Sequence, residues 1–356
     1  MESLKTFHPV FLEGTHIMIE IDGTFGEGGG QILRTSLSLA AITGRAVHFV
    51  NIRAKRRKPG LMRQHLACAK AVTEITGGRL RGAELNSQEM TFEPGTIHGG
   101  DYYFAVGSAG SVTLIAQTVI PVLLNADMPS KVEIEGGTHV DQSPIFEFFD
   151  RVYLAALRKM GAEITAKMER VGFYPAGGGK IMLEIQPVRA WDRFECVTAG
   201  NLKRSLLTAI GHDIDKRILD DELTICKDKL ERKTGFKCAA QDVGSAGPGN
   251  VLYAQMDYEN ITELFSVCGA FDVSRREVAE RVAGMVNRYL ALNVPVGRFL
   301  ADQLLLPMSI GAGGKYLTSL PTKHTQTNVE VIQKFLNMDI KLENNKDGTF
   351  MIEVNK

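Results

Sequence analysis

The stretch Gly23-Thr24-Phe25-Gly26-Glu27-Gly28-Gly29-Gly30-Gln31-Ile32-Leu33-Arg34 joins a strand pattern to a helix pattern. Alternating apolar residues at 17–21 precede it, and an apolar helical run at 31–43, stopped by Gly44, follows it. A glycine loop that opens a helix can direct several backbone N–H groups toward an anion, where the helix dipole also favours negative charge. Glu27 adds a carboxylate inside the loop, and Arg34 adds a bidentate donor one turn into the helix. This stretch predicts an α/β fold and suggests phosphate chemistry.

Strand and helix patterns continue to alternate along the chain. They predict a strand at 47–52, a helix at 61–76, strands near 89–93 and 101–106, an apolar helix at 112–124, a strand at 132–135, a helix at 146–160, short strands on both sides of the glycines at 177–179, and helices at 300–310 and 328–336. The same order of elements therefore returns. We interpret it as three diverged copies of a βαβαββ unit, roughly eighty residues each.

A change in sequence character interrupts the third copy. Residues 188–292 are more charged, hold four of the five cysteines and end in a long helical pattern at 274–292. Structureless loops of that length are rare in compact proteins, so an inserted domain is the simpler interpretation. The predicted fold is α/β (α+β), with residues 1–187 and 293–356 forming a core of three βαβαββ repeats and residues 188–292 forming a smaller inserted α/β domain.

Composition limits the classes of function. The chain has 356 residues, is 44% hydrophobic and carries 41 basic and 41 acidic side chains, so no global positive field attracts nucleic acid. The five cysteines form no C-x-x-C or zinc spacing, and their odd number argues against a closed disulfide framework. No secretory signal and no run of eighteen apolar residues is seen, so we expect a cytoplasmic protein without a membrane segment.

His324 stands out among the titratable residues. It lies in Lys323-His324-Thr325-Gln326-Thr327-Asn328, among small polar groups between two patterned segments rather than on an apolar face. A neutral imidazole in such a place can act as a nucleophile near pH 7. A single histidine in a polar loop is also commonly a plain surface residue. The functional interpretation therefore depends on its combination with the phosphate-binding groups.

A second cationic stretch, residues 53–65, concentrates six basic side chains after a strand and at the entrance of a helix, where Pro59 and Gly60 interrupt the chain. A run of charge is often only a solvated face. Here the cations cluster at a helix N-terminus, whose dipole disfavours them, which indicates that they meet phosphate. The pattern leaves His65 open between a histidine at the edge of the core and a ligand contact.

Several motifs, in the same order and at compatible spacing, closely resemble those of the RNA 3′-terminal phosphate cyclases. They are the loop 26–34, Lys58-Pro59-Gly60-Leu61-Met62-Arg63-Gln64-His65, Gly107-Ser108-Ala109-Gly110-Ser111 with Gln117, Gly172-Phe173-Tyr174-Pro175-Ala176-Gly177-Gly178-Gly179, Leu300-Ala301-Asp302-Gln303, and His324 with Thr327-Asn328. The resemblance runs from about residue 17 to the C-terminus. It implies a core of three βαβαββ units with a smaller inserted α/β domain, in agreement with the pattern of elements.

The activity implied by this resemblance is the ATP-dependent conversion of an RNA 3′-phosphate to a 2′,3′-cyclic phosphate. His324 would attack ATP to form a covalent AMP adduct, AMP would pass to the RNA 3′-phosphate, and the neighbouring 2′-hydroxyl would close the ring. The resemblance also implies a divalent cation, Mg²⁺ or Mn²⁺, and RNA 3′-phosphate ends as partners. It implies no membrane and no obligate protein partner.

The resemblance also assigns roles to individual residues. Glu27 looks like a ligand of the divalent cation, although a loop carboxylate can instead cap nearby N–H groups. The phosphate-binding candidates, for ATP or for the RNA end, are Arg34, Arg53, Arg56, Arg63, Gln64 and His65. The sequence does not say which arginine binds which phosphate.

Other positions resemble the nucleotide site of the family. Gln117, Asp302 and Gln303 correspond to positions near the nucleotide, although Asp302 and Gln303 at the start of an apolar helix could also form a cap. Pro144 and Phe299 resemble the pair that sandwiches the adenine. Phe299 departs from the tyrosine familiar at that point, so stacking is retained but a hydroxyl hydrogen bond is not.

Two other functions fit part of the sequence. A non-catalytic relative of the same fold, acting as a binding protein in ribosome assembly, would lack the reactive histidine. An enolpyruvyl-type transferase is also built from βαβαββ units but would not need a nucleophilic histidine or the basic stretch at 53–65. Retention of an acid-labile label after incubation with α-labelled ATP would separate these alternatives.

Overall fold

The computed structural model describes residues 18–230 and 235–356. The first part of the chain forms the elements β1 (Ile19–Asp22), α1 (Gly30–Thr43), β2 (Val47–Val50), α2 (Arg63–Thr76), β3 (Arg79–Arg81) and β4 (Met90–Glu93). The four strands make up the first sheet. The strands are ordered β1-β2-β4-β3, with β1 and β2 parallel. The predicted helices α1 and α2 and the predicted strands β1, β2 and β4 are all present. Residues 1–16, which precede the first strand pattern, lie outside the described residues.

The second sheet follows the same order of elements. It contains β5 (Asp101–Ala105), α3 (Val112–Leu123), β6 (Ser130–Gly136), a continuous helix made of α4 (Phe146–Phe148), a π-helical segment (Phe149–Leu154) and α5 (Ala155–Lys159), and then β7 (Ile164–Arg170) and β8 (Gly179–Ile185). Its strands are ordered β5-β6-β8-β7. The apolar helix and the strands around the glycines at 177–179 are therefore where the sequence predicts them.

The third sheet contains strands from distant parts of the chain. After β9 (Phe194–Cys196) the chain forms β10 (Leu202–His212), α6 (Lys216–Lys229), β11 (Lys237–Asp242), β12 (Gly249–Tyr258), β13 (Thr262–Cys268) and α7 (Arg275–Leu292). It then forms α8 (Arg298–Ile310), β14 (Gly314–Ser319), α9 (Lys323–Phe335), β15 (Asp339–Asn344) and β16 (Thr349–Asn355). The third sheet has the order β15-β16-β14-β9, and β9 runs parallel to β14.

The segment from β10 to α7 builds a sheet of its own, ordered β11-β10-β12-β13. A separate apolar cluster joins this sheet to α6 and α7, while the large cluster that joins the other three sheets also includes Ile210, Val251 and Leu264 of this unit. The strand β9 lies inside the stretch 188–292 but pairs with the third sheet. The mixed α/β fold is thus confirmed, while the domain boundaries and the equivalence of the three units as repeated copies stay predictions. Among the described residues, no helix is both long and apolar enough to cross a membrane.

A buried carboxyl group links this four-stranded unit to α8. Glu263 in β13 is fully buried, and its Oε1 accepts a hydrogen bond of 2.6 Å from the backbone N–H of Gly297, the N-cap of α8. Its Oε2 has no hydrogen-bond partner. Burial raises the pKa of Glu263 to about 8. The group is therefore protonated in the folded chain over a pH range in which a free glutamate is ionised.

We expect Glu263→Gln to reduce the pH dependence of stability. The pKa of Glu263 is raised on folding, so its contribution to stability is complete below about pH 4.5 and is lost as the pH rises through about 8. A neutral glutamine keeps the acceptor for Gly297 without this loss. Melting temperatures measured between about pH 5 and about pH 9 should therefore fall by a few degrees less in the variant than in the wild type. Glu343→Gln, at an exposed position, is the control, and equal slopes for all three proteins would contradict the prediction.

Candidate functional site

A cleft of about 570 Å³ lies between the four-stranded unit and the rest of the protein. The lining residues that the sequence predicted are Arg34, Gln117, Pro144, Phe299, Asp302, Gln303 and His324. The opposite wall comes from β13 and α7, through residues that include Leu264, Ser266, Met285 and Arg288. The structure thus brings together side chains from α1, α3, α8 and α9 that are far apart in the sequence.

The glycine loop forms the part of the site next to α1. Gly26 has a φ of 52°, and a Cβ there would lie 2.0 Å from Thr327 Oγ1 of α9. A Cβ on Gly30 would lie 2.5 Å from His65 Nε2. Both positions therefore need glycine so that the loop can approach its neighbours. The N-cap of α1 is Gly29, and no side chain caps it, so the first N–H groups of the helix can bind an anion.

His324 lies in the first turn of α9, not in a polar loop as the sequence suggested. The helix begins at Lys323 instead of near residue 328, and Thr325 N–H donates to Thr322 Oγ1 at the N-cap. The residues of this first turn are polar, so they lack the apolar spacing from which the helix at 328–336 was predicted. The side chain of His324 is still 48% exposed, so the helix presents it at the cleft.

The ring of His324 contacts two neighbouring side chains through its Nδ1 atom. It lies 2.5 Å from Gln31 Oε1 and 2.5 Å from Glu27 Oε2. Burial lowers the pKa of His324, the charge of Glu27 opposes this, and Arg34, Arg56 and Arg298 lower it further. The net direction is downward, so the ring is neutral near pH 7. No partner of Nε2 is found within the described part of the chain.

Glu27 connects the glycine loop to two neighbours. Its Oε1 lies 2.5 Å from Arg56 Nη2. Its buried Oε2, although close to His324, receives no hydrogen bond. No group of three His, Cys, Asp or Glu side chains within the described residues could hold a metal ion. A divalent cation fits Glu27 only with phosphate oxygens completing its ligands, which is how Mg²⁺ usually binds nucleotides.

Arg34 and Asp302 lie at the base of the cleft. Burial raises the pKa of Asp302 to about 7, and the positive charge of Arg34 opposes the rise. Burial also lowers the pKa of Arg34, but a guanidinium stays charged in proteins. Asp302 is the fifth residue of α8, whose N-cap is Gly297, so a capping role for Asp302 and Gln303 is excluded. Asp302 Oδ2 instead accepts from Gln31 Nε2 at 2.8 Å.

Two glutamines connect the helices at the cleft. Gln117 Nε2 donates to Gln303 Oε1 at 2.5 Å, and Gln303 Nε2 donates to the carbonyl of Phe299, also at 2.5 Å. Phe299 is 41% exposed, and the guanidinium of Arg298 lies over its ring, 5.5 Å from the centroid. The carbonyl of Pro144 accepts from Thr113 Oγ1 at 2.7 Å, which fixes the loop opposite α8.

The basic stretch is more involved in the fold than its charge suggested. Arg53 Nη1 donates to the carbonyls of Lys58 and Gly60, at 2.8 Å each, and so closes its own loop. Arg63 Nη1 donates to the Gly107 carbonyl at 3.0 Å. In addition, Gln64 Oε1 accepts from the backbone N–H of Ser111 at 3.0 Å. Arg56 contacts the glycine loop, through Glu27 and the carbonyl of Gly28.

The two interpretations of His65 can now be separated by its geometry. His65 is buried, and its Nδ1 accepts from the backbone N–H of Met62 at 3.1 Å. Burial, with the charges of Arg34 and Arg53, lowers its pKa to about 3. The ring is therefore neutral with its proton on Nε2, the atom beside Gly30. His65 belongs to the edge of the core and also presents one N–H to the glycine loop.

The polar side chains of the site that the sequence interpretation missed include Gln31, Arg298 and Arg288. Gln31 lies inside the glycine motif, and the sequence pattern marks it only as the start of a helix. Arg298 lowers the pKa of His324, and Arg288 lines the cleft from α7. Gln31 could have been singled out by its place in the motif, whereas nothing in the sequence marks Arg288, because its position depends on how α7 packs.

Comparisons with known proteins agree with this geometry. A family model described as RNA 3′-terminal phosphate cyclase matches residues 25–342. The chain is also 41% identical, over 325 residues, to a protein of Koribacter versatilis (strain Ellin345) named RNA 3′-terminal phosphate cyclase. The alignment covers 91% of this chain and 92% of that relative. The match therefore includes the glycine loop, the cleft and His324.

Proposed function

The chain belongs to the RNA 3′-terminal phosphate cyclase family, and on that premise we propose that it uses ATP to convert an RNA 3′-phosphate to a 2′,3′-cyclic phosphate. The observation that carries this proposal is the position of His324. Its ring has a lowered pKa, and it faces a cleft whose base holds Arg34 and the uncapped N-terminus of α1. A nucleophile beside an anion-binding site is what nucleotidyl transfer requires.

In the proposed first step, the Nε2 lone pair of His324 attacks the α-phosphorus of ATP. A phosphorus–nitrogen bond forms, the bond to the β-phosphate oxygen breaks, and pyrophosphate leaves. Arg34, Arg56 and the free N–H groups at Gly29 and Gly30 can bind the phosphate oxygens as charge develops on them. Glu27 Oε2 is available for a divalent cation, Mg²⁺ or Mn²⁺, which would neutralise the phosphates of ATP when bound.

In the second step, an oxygen of the RNA 3′-phosphate attacks the phosphorus of the AMP adduct, and the bond to His324 breaks. The product is an RNA with a 3′-pp-5′-A end. In the third step, the neighbouring 2′-hydroxyl attacks the terminal RNA phosphorus, closes a five-membered ring and releases AMP. Since both groups belong to one ribose, proximity supplies much of the rate and no further protein nucleophile is needed.

The nucleotide site is proposed to be formed by other residues that line the cleft. Pro144 and Phe299 are proposed to hold the adenine between them, and Gln117, Asp302 and Gln303 are proposed to lie near the nucleotide. Arg53, Arg63 and Gln64 are proposed to bind phosphate, of ATP or of the RNA end, through the donors that their backbone contacts leave available. His65 is proposed to support the loop and present its N–H there.

We expect substrate choice to depend on the terminal phosphate and the neighbouring 2′-hydroxyl. An RNA that ends in a 3′-phosphate should be cyclised, while the same RNA ending in a 3′-hydroxyl should not react. A DNA 3′-phosphate should accept AMP but cannot close the ring. The reaction is followed by labelling the 3′ end and separating the products. Equal rates on ends with and without phosphate would contradict the proposal, and a protein that never binds AMP covalently would instead fit a binding protein or another transferase.

A further inference from the structure

One side chain lies between His324 and Asp302. Gln31 is the second residue of α1. Its Nε2 donates to Asp302 Oδ2 at 2.8 Å, and its Oε1 lies 2.5 Å from His324 Nδ1. The three side chains come from α1, α8 and α9, so they form a continuous polar connection across the base of the cleft.

The acceptor at Asp302 determines which way the amide of Gln31 faces. An ionised carboxylate can only accept hydrogen bonds, so the NH₂ group of Gln31 must face Asp302, and Oε1 must face His324. Burial raises the pKa of Asp302 to about 7 and the positive charge of Arg34 opposes the rise, so the carboxylate that accepts from Gln31 Nε2 is the main form above that pH. Asp302 is also fixed through its backbone, since its carbonyl accepts from Asn328 Nδ2 at 2.8 Å. Asn328 Oδ1 in turn accepts from Thr35 Oγ1 at 2.7 Å.

The orientation of Gln31 determines the tautomer of His324. A carbonyl oxygen 2.5 Å from Nδ1 can only accept, so Nδ1 must carry the proton. The remaining nitrogen, Nε2, then holds the lone pair that a nucleophile needs. Glu27 Oε2 is equally close to Nδ1 but receives no hydrogen bond, and Glu27 Oε1 is paired with Arg56. Gln31 is therefore the acceptor, and Glu27 Oε2 stays available for a cation.

An amide has an advantage over a carboxylate at this position. A second carboxylate on Nδ1 would favour the imidazolium and so reduce the fraction of the nucleophile. A neutral amide orients the ring without adding charge to it. We propose that Gln31 and Asp302 are positioning residues that hold His324 in the Nδ1–H tautomer and so expose the Nε2 lone pair to the α-phosphorus. This inference rests on the proposed function, in which His324 is the nucleophile.

The test compares the tautomer of His324 with the rate of adenylation. Full-length protein with ¹⁵N-labelled histidine is studied by NMR without ATP, and the signals of His324 are identified by their absence in His324→Ala. We expect the wild type to show the neutral Nδ1–H form and Gln31→Met, which has a similar shape but no acceptor, to lose that preference. We expect adenylation by Gln31→Met to be slower by about 10- to 100-fold in kcat, with little change in KM for ATP.

Two further variants separate positioning from damage to the fold. Gln31→Glu restores an acceptor and should keep the proton on Nδ1, while its negative charge should raise the imidazolium fraction near neutral pH. Asp302→Asn can offer an N–H to Gln31, so the amide loses its fixed orientation and the tautomer preference should weaken even if Gln31→Met folds poorly. Gln333→Met, at an exposed position of α9, is the matched control and should change neither readout.

The outcomes distinguish this inference from the proposed function. If the wild type is adenylated while Gln31→Met and Asp302→Asn keep the Nδ1–H form, the inference is wrong and the proposed function stands. The inference is also wrong if Glu27→Gln changes the tautomer and the Gln31 variants do not, because Glu27 would then orient the ring. If the tautomer responds to Gln31 but the wild type never binds AMP, the proposed function fails while the hydrogen-bond connection remains.

Discussion

His324→Ala is expected to abolish both the covalent attachment of AMP and the cyclisation of RNA, with a loss on the order of 10⁴-fold or more in rate. The variant removes the atom that would bond to phosphorus. His65, the other histidine near the loop, is buried and has its lone pair on Nδ1 engaged with the backbone N–H of Met62. The rate is measured from the transfer of label from α-labelled ATP to protein.

The fold should survive this change, because the side chain of His324 is 48% exposed. His98→Ala is a matched control, since His98 is an exposed histidine whose partner is Asp127, outside the residues that line the cleft. The control should keep full activity, and both variants should melt close to the wild type. Label retained by a folded His324→Ala protein would contradict the assignment of the nucleophile.

Glu27→Gln is expected to slow adenylation by about two to three powers of ten, equivalent to roughly 2–4 kcal/mol of transition-state stabilisation. The amide keeps the shape of the side chain but loses the charge that would hold a cation. The ion pair with Arg56 is also lost, so Arg56 is less well fixed beside the loop. The measurement is the rate of label transfer at increasing Mg²⁺ or Mn²⁺ concentration, and a higher metal requirement is expected.

The control for Glu27 is Glu84→Gln, which removes the same charge at an exposed position that does not line the cleft. It should leave the metal dependence unchanged. If Glu27→Gln showed the wild-type dependence on the metal concentration, the assignment of Glu27 as a metal ligand would be wrong. A uniform loss of rate at every metal concentration would point to the pairing with Arg56 instead.

Much of the fold is predictable from local patterns. The helices α1 and α2 have apolar stripes on one face and glycines that end them, so both were found within two residues. The segments α3 and α8 were found from their high apolar content, although each contains a proline, Pro121 and Pro307. These elements depend on residues three or four apart, which a sequence displays directly.

Other elements depend on contacts that no local pattern displays. The strand β3 is three residues long and largely exposed, so it has no apolar alternation. The strand β9 is equally short and pairs with β14, which lies beyond the whole four-stranded unit in the sequence. The first turn of α9 is polar because it faces the glycine loop rather than a core, so its helical character could not be inferred from hydrophobic spacing.

The site follows the same division. The motifs singled out Gln117, Asp302, Gln303 and His324, and the structure places all four at one cleft. Their roles stay predictions. The charge of the basic stretch does not predict which of its arginines donate hydrogen bonds to backbone carbonyls, because those contacts depend on the loop conformation. Arg53, for example, has a φ of 52° and turns back on its own loop. The hydrogen bonds of Gln31 likewise depend on three helices meeting.

The covalent bond to AMP tests the central claim most directly. Wild-type protein is incubated with ATP and Mg²⁺ or Mn²⁺, digested under conditions that preserve phosphoramidates, and the modified peptide is sequenced by mass spectrometry. AMP is expected on the peptide that contains Lys323-His324-Thr325, at His324, in an acid-labile and alkali-stable linkage. AMP at another residue, an acid-stable linkage, or no adduct from protein that cyclises RNA would contradict it.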